Sequence, residues 1–165
     1  MLPNIFNPAI HRRQSIRLKE YDYATEGAYF ITLCCKDKIC RFGEIVDSRM
    51  NLNECGKVIY NEWMNLPNRF PKVTIDSFQI MPNHLHGVIV LEDGGNAKIS
   101  EIIGAFKSIS FRKCLDIYKK ENLKMGVLWQ KNYFEHIIRN DDSWKLIDEY
   151  IVSNPERWAE DKFFV

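Results

Sequence analysis

"VTIDSFQIMPNHLHGVIVLE", residues 73–92, decides how this chain folds. Two runs rich in β-branched and aromatic residues, 73–81 and 84–92, flank Pro82-Asn83, a pair that favours a turn, so the runs predict an antiparallel hairpin. The second run opens with two histidines one residue apart, His84 and His86. On a strand, residues two apart share a face and stand ~6.5–7 Å from each other, so both imidazoles project to one side while Leu85, Gly87 and Ile89 take the other. Two imidazoles at that spacing can converge on one divalent ion, and hydrogen-bonded histidines of a core or a surface satisfy the same pattern.

Working outward, "AYFITLCCK" (28–36) reads as a first strand. "NLNECGKVIYNEWMNL" (51–66) places Cys55, Ile59, Trp63 and Leu66 at helical spacing, with Asn51 and Glu54 in a capping-box pattern. "ISEIIGAFKSISFRKCLDIYKK" (99–120) predicts a long amphipathic helix. "VLWQKNYFEHIIR" (127–139) predicts a fourth strand, with Glu135 and His136 on opposite faces. A third helix follows in "DDSWKLIDEYIVS" (141–153), N-capped by Asp141 or Asp142 and ended by Pro155. The order β-α-β-β-α-β-α is that of an α+β fold: a ferredoxin-like or RRM-like antiparallel sheet with helices on one face and an additional C-terminal helix. Residues 1–22, with two prolines and the run "HRRQSIRLK", read as a basic N-terminal arm, which leaves 23–165 as one domain.

Composition agrees with a globular class: 45% of residues are hydrophobic and 27% charged. No apolar stretch approaches the ~18 residues of a membrane span and no apolar block opens the chain, so a cytoplasmic protein is expected. Five cysteines without a C-x-x-C pair predict reduced thiols rather than a disulfide framework or zinc finger. The net charge of +1 conceals an uneven distribution. From Lys107 to Arg139 there are eight basic and three acidic side chains, and from Asp141 onward seven acidic and three basic ones. A basic middle fits a polyanion footprint, and it fits solvated helices equally.

"MPNHLHGVIV", followed by the basic helix, "LWQKNYFEHIIRN" and "DEYIVSNPERW", resembles the REP-associated tyrosine transposases, single-tyrosine members of the HUH nuclease superfamily. The similarity extends to "RRQSIRLKEYDY" and "GAYFITLCCKDKICRFGEI", nearly the whole chain. "HUH" denotes two histidines around a bulky apolar residue, here His84-Leu85-His86. The resemblance implies a nucleophilic tyrosine in the last helix, and "EYIVSNP" supplies Tyr150 at that position, where an ordinary core aromatic is the alternative. Tyr133 is the rival and does not match the family's position.

The resemblance also implies a third metal ligand four residues after the tyrosine, which is Asn154; Asn154-Pro155 equally suits the start of a new helix over "ERWAEDKF". Neutral ligands His84, His86 and Asn154 would leave an ion its full charge, and Mg²⁺ or Mn²⁺ drawn from solution is expected. The implied activity is metal-dependent cleavage and strand transfer of single-stranded DNA beside hairpins, through a 5′-phosphotyrosine link, by a monomer or homodimer. Arg12, Arg13, Arg17, Lys107, Arg112 and Lys113 are the candidate phosphate contacts, and Phe106, Phe111, Tyr133 and Phe134 the candidate stacking surfaces. A non-catalytic nucleic-acid-binding module and a water-activating hydrolase are the alternatives; no role is assigned to Glu135, and His136 reads as a hydrogen-bonded structural histidine outside the site.

Overall fold

The computed structural model describes residues 26–165, so the expected arm with Arg12, Arg13 and Arg17 lies outside the described residues. Its strands are β1 (Gly27–Cys34), β2 (Gly43–Val46), β3 (Arg49–Leu52), β4 (Val73–Met81), β5 (His84–Leu91) and β6 (Phe134–Ile138). Its helices are α1 (Glu54–Met64), α2 (Leu66–Arg69), α3 (Ile99–Lys120) and α4 (Asp141–Ser153). Four strands form one sheet in the order β4-β5-β1-β6, every neighbouring pair antiparallel, which is the ferredoxin-like arrangement the hairpin and its flanking helices predict.

Alternation along the strands divides the molecule into two cores. Tyr29, Ile31 and Leu33 of β1 and Leu85 and Ile89 of β5 meet Ile59 and Trp63 of α1 and Ile102, Ile103 and Phe106 of α3. The opposite face of the same strands, Ala28, Phe30 and Val88, receives Ile147 and Ile151 of α4. The terminal helix therefore covers the face from which His84 and His86 project. Beneath the histidines, Gly87 lets the indole of Trp63 lie against the strand: a methyl group there would stand 2.5 Å from Trp63 Cζ2 and 3.0 Å from Phe78 Cβ. Gly87→Ala should destabilise the fold by about 1–3 kcal/mol through this overpacking. Urea unfolding reads the change, and an unaltered midpoint would contradict the packing.

The hairpin turn is buried. Met81 pairs with His84 across Pro82-Asn83, and the segment after β1 folds over the tip: Cys35 N–H donates to Asn83 O at 2.8 Å, while Arg41 and Phe42 N–H donate to Pro82 O at 2.8 and 3.0 Å. This segment leads into β2 and β3, a two-stranded hairpin that periodicity did not reveal. Its turn residues Asp47 and Ser48 both have positive φ, 49° and 59°, the geometry of a tight I′ connection without the Asn-Gly or Asp-Gly pair that usually signals one.

Several sequence expectations need correction. Asn51 lies in β3, and Asn53 caps α1 instead, accepting from Gly56 N–H at 2.9 Å. Asn140, rather than Asp141 or Asp142, caps α4 by accepting from Ser143 N–H at 2.8 Å, so both acids fall in the first turn, where they favour the helix dipole. The fourth strand is confined to Phe134–Ile138. Before it, Trp129 makes only an isolated antiparallel bridge with Cys35 at the end of β1; Met125, Leu128 and Trp129 join the core on the α3 side, and the Trp129 indole donates to buried Ser110 Oγ at 3.0 Å. No α-helix forms over 156–163; a turn leads to a 3-10 segment, Trp158–Glu160.

Candidate active site

Asn83 sets the protonation of the first histidine. Its amide nitrogen donates to Lys38 O at 2.9 Å and to Phe163 O at 2.8 Å, which turns Oδ1 toward His84. Oδ1 can only accept, so the 2.9 Å contact to His84 Nδ1 requires the proton on Nδ1, and in the neutral ring Nε2 then carries the lone pair. That Nε2 is buried without a hydrogen-bond partner among the described residues.

His86 is held by Thr32 Oγ1 on the paired strand, 2.8 Å from Nδ1, and by the Phe30 ring stacked on it at 5.5 Å. Its Nε2 faces the Tyr150 hydroxyl at 3.3 Å. Tyr150 reaches the histidines because Ile147 and Ile151, on either side of it along α4, anchor the helix in the sheet. Its ring stands edge-on to Phe30, centroids 6.2 Å apart. Asn154 continues the helical backbone (φ −58°, ψ −42°) instead of opening a new helix. Its amide nitrogen donates back to Tyr150 O at 3.3 Å, and its Oδ1 is buried without a partner among the described residues. The structure thus brings together His84, His86 and Tyr150 from two separate segments, with Asn154 one turn beyond Tyr150 on the helix.

Tyr133 packs against the α1 and α3 side, on the far face from the histidines. Phe106 and Phe111 belong to that same core. Phe134 packs on the α4 side with Tyr150. Lys107 Nζ donates to Gln130 O at 2.6 Å and Lys131 O at 3.1 Å. Lys113 pairs with the buried Glu62 carboxylate, which Arg69 also engages.

The chain end supplies residues that sequence reasoning missed. Phe163 lies 4.5 Å from the His84 ring, Trp158 6.0 Å, and Asp161 Oδ2 stands 3.8 Å from His84 Nε2. Donor atoms of His84, His86 and Asp161 all fall within 4.8 Å of one another. Asp161 is one acid in an acid-rich tail, and the expected helix over 156–163 gave no reason to turn it inward. The weak available signal was the aromatic pair Phe163-Phe164, unusual in a solvated end.

Burial pushes the His84 imidazole down to about 3, helped by the Lys162 cation. Burial, then His84 and Lys162, push His86 well below its usual range. Burial raises the Tyr150 phenol, against a smaller downward pull from the Asn154 amide. The folded site therefore holds neutral imidazoles and a protonated phenol. Unfolded histidine takes a proton near 6.5, so the unfolded chain binds the proton first as pH falls. Stability is full above that value and is lost toward 3, with roughly 2 kcal/mol gone at pH 5 from His84 alone. Urea midpoints at neutral pH and pH 5 measure this, and equal midpoints would contradict buried neutral histidines.

Two histidines on a central strand under a helical tyrosine coincide with a sequence match to the family model "Transposase IS200 like" over residues 29–154. The chain belongs to the IS200-like transposase family. Among relatives of this transposase, an uncharacterized Haemophilus influenzae protein is 41% identical over 97% of both chains. Another protein of that organism, provisionally named a REP-associated tyrosine transposase, is 22% identical over 81% of this chain and 73% of its own. Among solved structures, a REP-associated tyrosine transposase bound to a REP hairpin shares the fold with a TM-score of 0.61 and 19% identity, covering 82% of this chain and 70% of that one. A provisionally named transposase of Deinococcus radiodurans does so with a TM-score of 0.52 and 15% identity, covering 81% and 93%. No helix among the described residues is long and apolar enough to cross a membrane.

Proposed function

We propose that this transposase is a metal-dependent endonuclease and strand transferase acting on hairpin-forming single-stranded DNA in the cytoplasm. The observation that carries the reading is the Tyr150 hydroxyl 3.3 Å from His86 Nε2, beside a second buried imidazole whose Nε2 has no hydrogen-bond partner among the described residues. Neutral nitrogen donors with their other nitrogens fixed by Asn83 and Thr32 suit a divalent ion, as ligating histidines are ordinarily oriented through the opposite ring nitrogen. His84, His86 and Asn154 would hold Mg²⁺ or Mn²⁺. When bound, the ion supplies Lewis-acid polarisation of the scissile phosphate.

Tyr150 attacks phosphorus, forming the Tyr Oη–P bond while the P–O3′ bond breaks. The phenolic proton is transferred, in net balance, to the departing 3′ oxygen, leaving a 5′-phosphotyrosine and a free 3′-hydroxyl. The ester retains its bond energy, so a 3′-hydroxyl can reverse the step and join strands without another energy source. The Phe30 and His86 rings position the phenol, and α4 fixes its approach.

For the substrate, the REP-hairpin complex of the structural relative supports a hairpin. Arg112 and the basic arm, residues 1–22 with Arg12, Arg13 and Arg17, are the proposed phosphate contacts beside the catalytic domain, 23–165. Lys107 and Lys113 join them through donor capacity left over from their bonds within the protein.

The test is incubation with labelled hairpin oligonucleotides from the gene's flanks and Mn²⁺, read on a denaturing gel. A protein–DNA adduct is expected. Binding without cleavage on every hairpin would contradict the reading and favour a non-catalytic binding module.

A further inference from the structure

The lone pair of His84 Nε2 points across a buried gap at a carboxylate. With Nδ1 donating to Asn83, the neutral ring has no proton on that nitrogen, and Asp161 Oδ2 lies 3.8 Å away, too far for a hydrogen bond in either direction. The His84 side chain is fully buried and that of Asp161 is 6% exposed. Two electron-rich atoms facing one another in such a place repel, unless a cation lies between them. Asp161 is delivered there by its own local structure: its N–H closes the 3-10 turn on Trp158 O at 3.0 Å, and its Oδ1 accepts from Phe163 N–H at 2.7 Å. The following residues are tied down through Phe163 O to Asn83 and through Lys162 O to Lys38 Nζ. Asn83 thus holds the tail that carries Asp161 and orients His84 with the same amide.

We propose that Asp161 is an anionic ligand of the divalent ion held by His84 and His86. This inference rests on the metal-dependent reading above. It departs from the neutral ligand set His84, His86 and Asn154 by adding a carboxylate from the chain end, beyond the helix that carries the tyrosine. One carboxylate offsets part of the ion's charge and supplies a hard oxygen donor, which suits Mn²⁺ or Mg²⁺ better than imidazoles alone. It also makes tail docking part of metal binding: the ion and residues 161–163 should stabilise one another.

The experiment is calorimetric titration of Mn²⁺ into the DNA-free protein. The wild type, Asp161→Asn and His84→Ala are compared. The asparagine side chain keeps an acceptor for Phe163 N–H, so the tail's own bond is retained. Wild-type binding is expected to be lost in His84→Ala and weakened at least ~10-fold in Asp161→Asn, since even groups behind the ligands are worth about that much. Wild-type and Asp161→Asn affinities within twofold, with loss in His84→Ala, would overturn the role of Asp161 and leave the histidine site standing. Binding that survives His84→Ala would overturn both. An infrared difference spectrum of the wild type with and without Mn²⁺ gives a readout independent of any variant's folding: a shifted carboxylate band is expected, and an unshifted one would overturn the proposal.

Discussion

Tyr150→Phe is expected to abolish the covalent adduct and slow strand cleavage by at least about a thousandfold, while the protein keeps its fold. The change deletes one oxygen. Phe30 still meets the ring edge-on, and Ile147 and Ile151 still seat the helix. His86 keeps its Thr32 partner at 2.8 Å and loses only the 3.3 Å contact to the phenol. Stability should therefore change by no more than ~1 kcal/mol, the net worth of one ordinary hydrogen bond. The measurement is the single-turnover cleavage rate on a labelled hairpin, paired with a urea melt of the same preparation. Cleavage that persists in the variant without an adduct would mean that water, and not Tyr150, attacks the phosphate.

Trp63→Ala is expected to have the largest effect on the fold, a loss of about 3–5 kcal/mol. The indole is fully buried. It lies against Phe106 of α3 with ring centroids 5.3 Å apart, against Phe78 of β4 at 6.3 Å, and on the bare backbone of Gly87. The β5 residue facing it is a glycine, which has no side chain to fill the space. The void would open directly beneath the strand that carries His84 and His86, so Mn²⁺ binding should weaken together with stability. Chemical unfolding followed by the remaining tryptophans reads the first effect. A loss below 1 kcal/mol would show that α1 does not anchor the sheet as described.

How far the sequence disclosed the molecule depended on the range of the interaction that shaped each part. The β4–β5 hairpin was legible because its alternation is local: each side chain's face follows from counting by two, and Pro82-Asn83 supplies the turn. Helix α3 was legible for the same reason, its apolar positions repeating along one face. The β2–β3 hairpin was hidden because its strands are only four residues each and its turn uses Asp47-Ser48. Residues 127–133 looked strand-like from their apolar content, yet only an isolated bridge, Cys35 with Trp129, joins them to the end of β1, and the Trp129 indole is bonded to Ser110, 19 positions away.

The candidate site divides in the same way. Spacing put His84 and His86 on one face of a strand without separating ligands from structural histidines, and resemblance singled out Tyr150 and Asn154, four residues apart in sequence. Asp161 belongs to neither pattern. Its place depends on Asn83 seizing the carbonyl of Phe163, 80 residues distant, and no local signal encodes that contact. The cations show the converse limit: Lys113 sits in a basic run in the sequence, which gives no sign that in the fold it also pairs with Glu62.

The most direct test of the central claim is to locate the covalent bond. The wild-type protein is reacted with a cleavable hairpin and Mn²⁺, the adduct is digested with protease and nuclease, and the nucleotide-bearing peptide is sequenced by mass spectrometry. The account predicts a phosphodiester remnant on Tyr150, in the peptide containing "EYIVSNP". A remnant on Tyr133 or any other side chain would contradict it, because the phenol beside His86 would then not be the nucleophile.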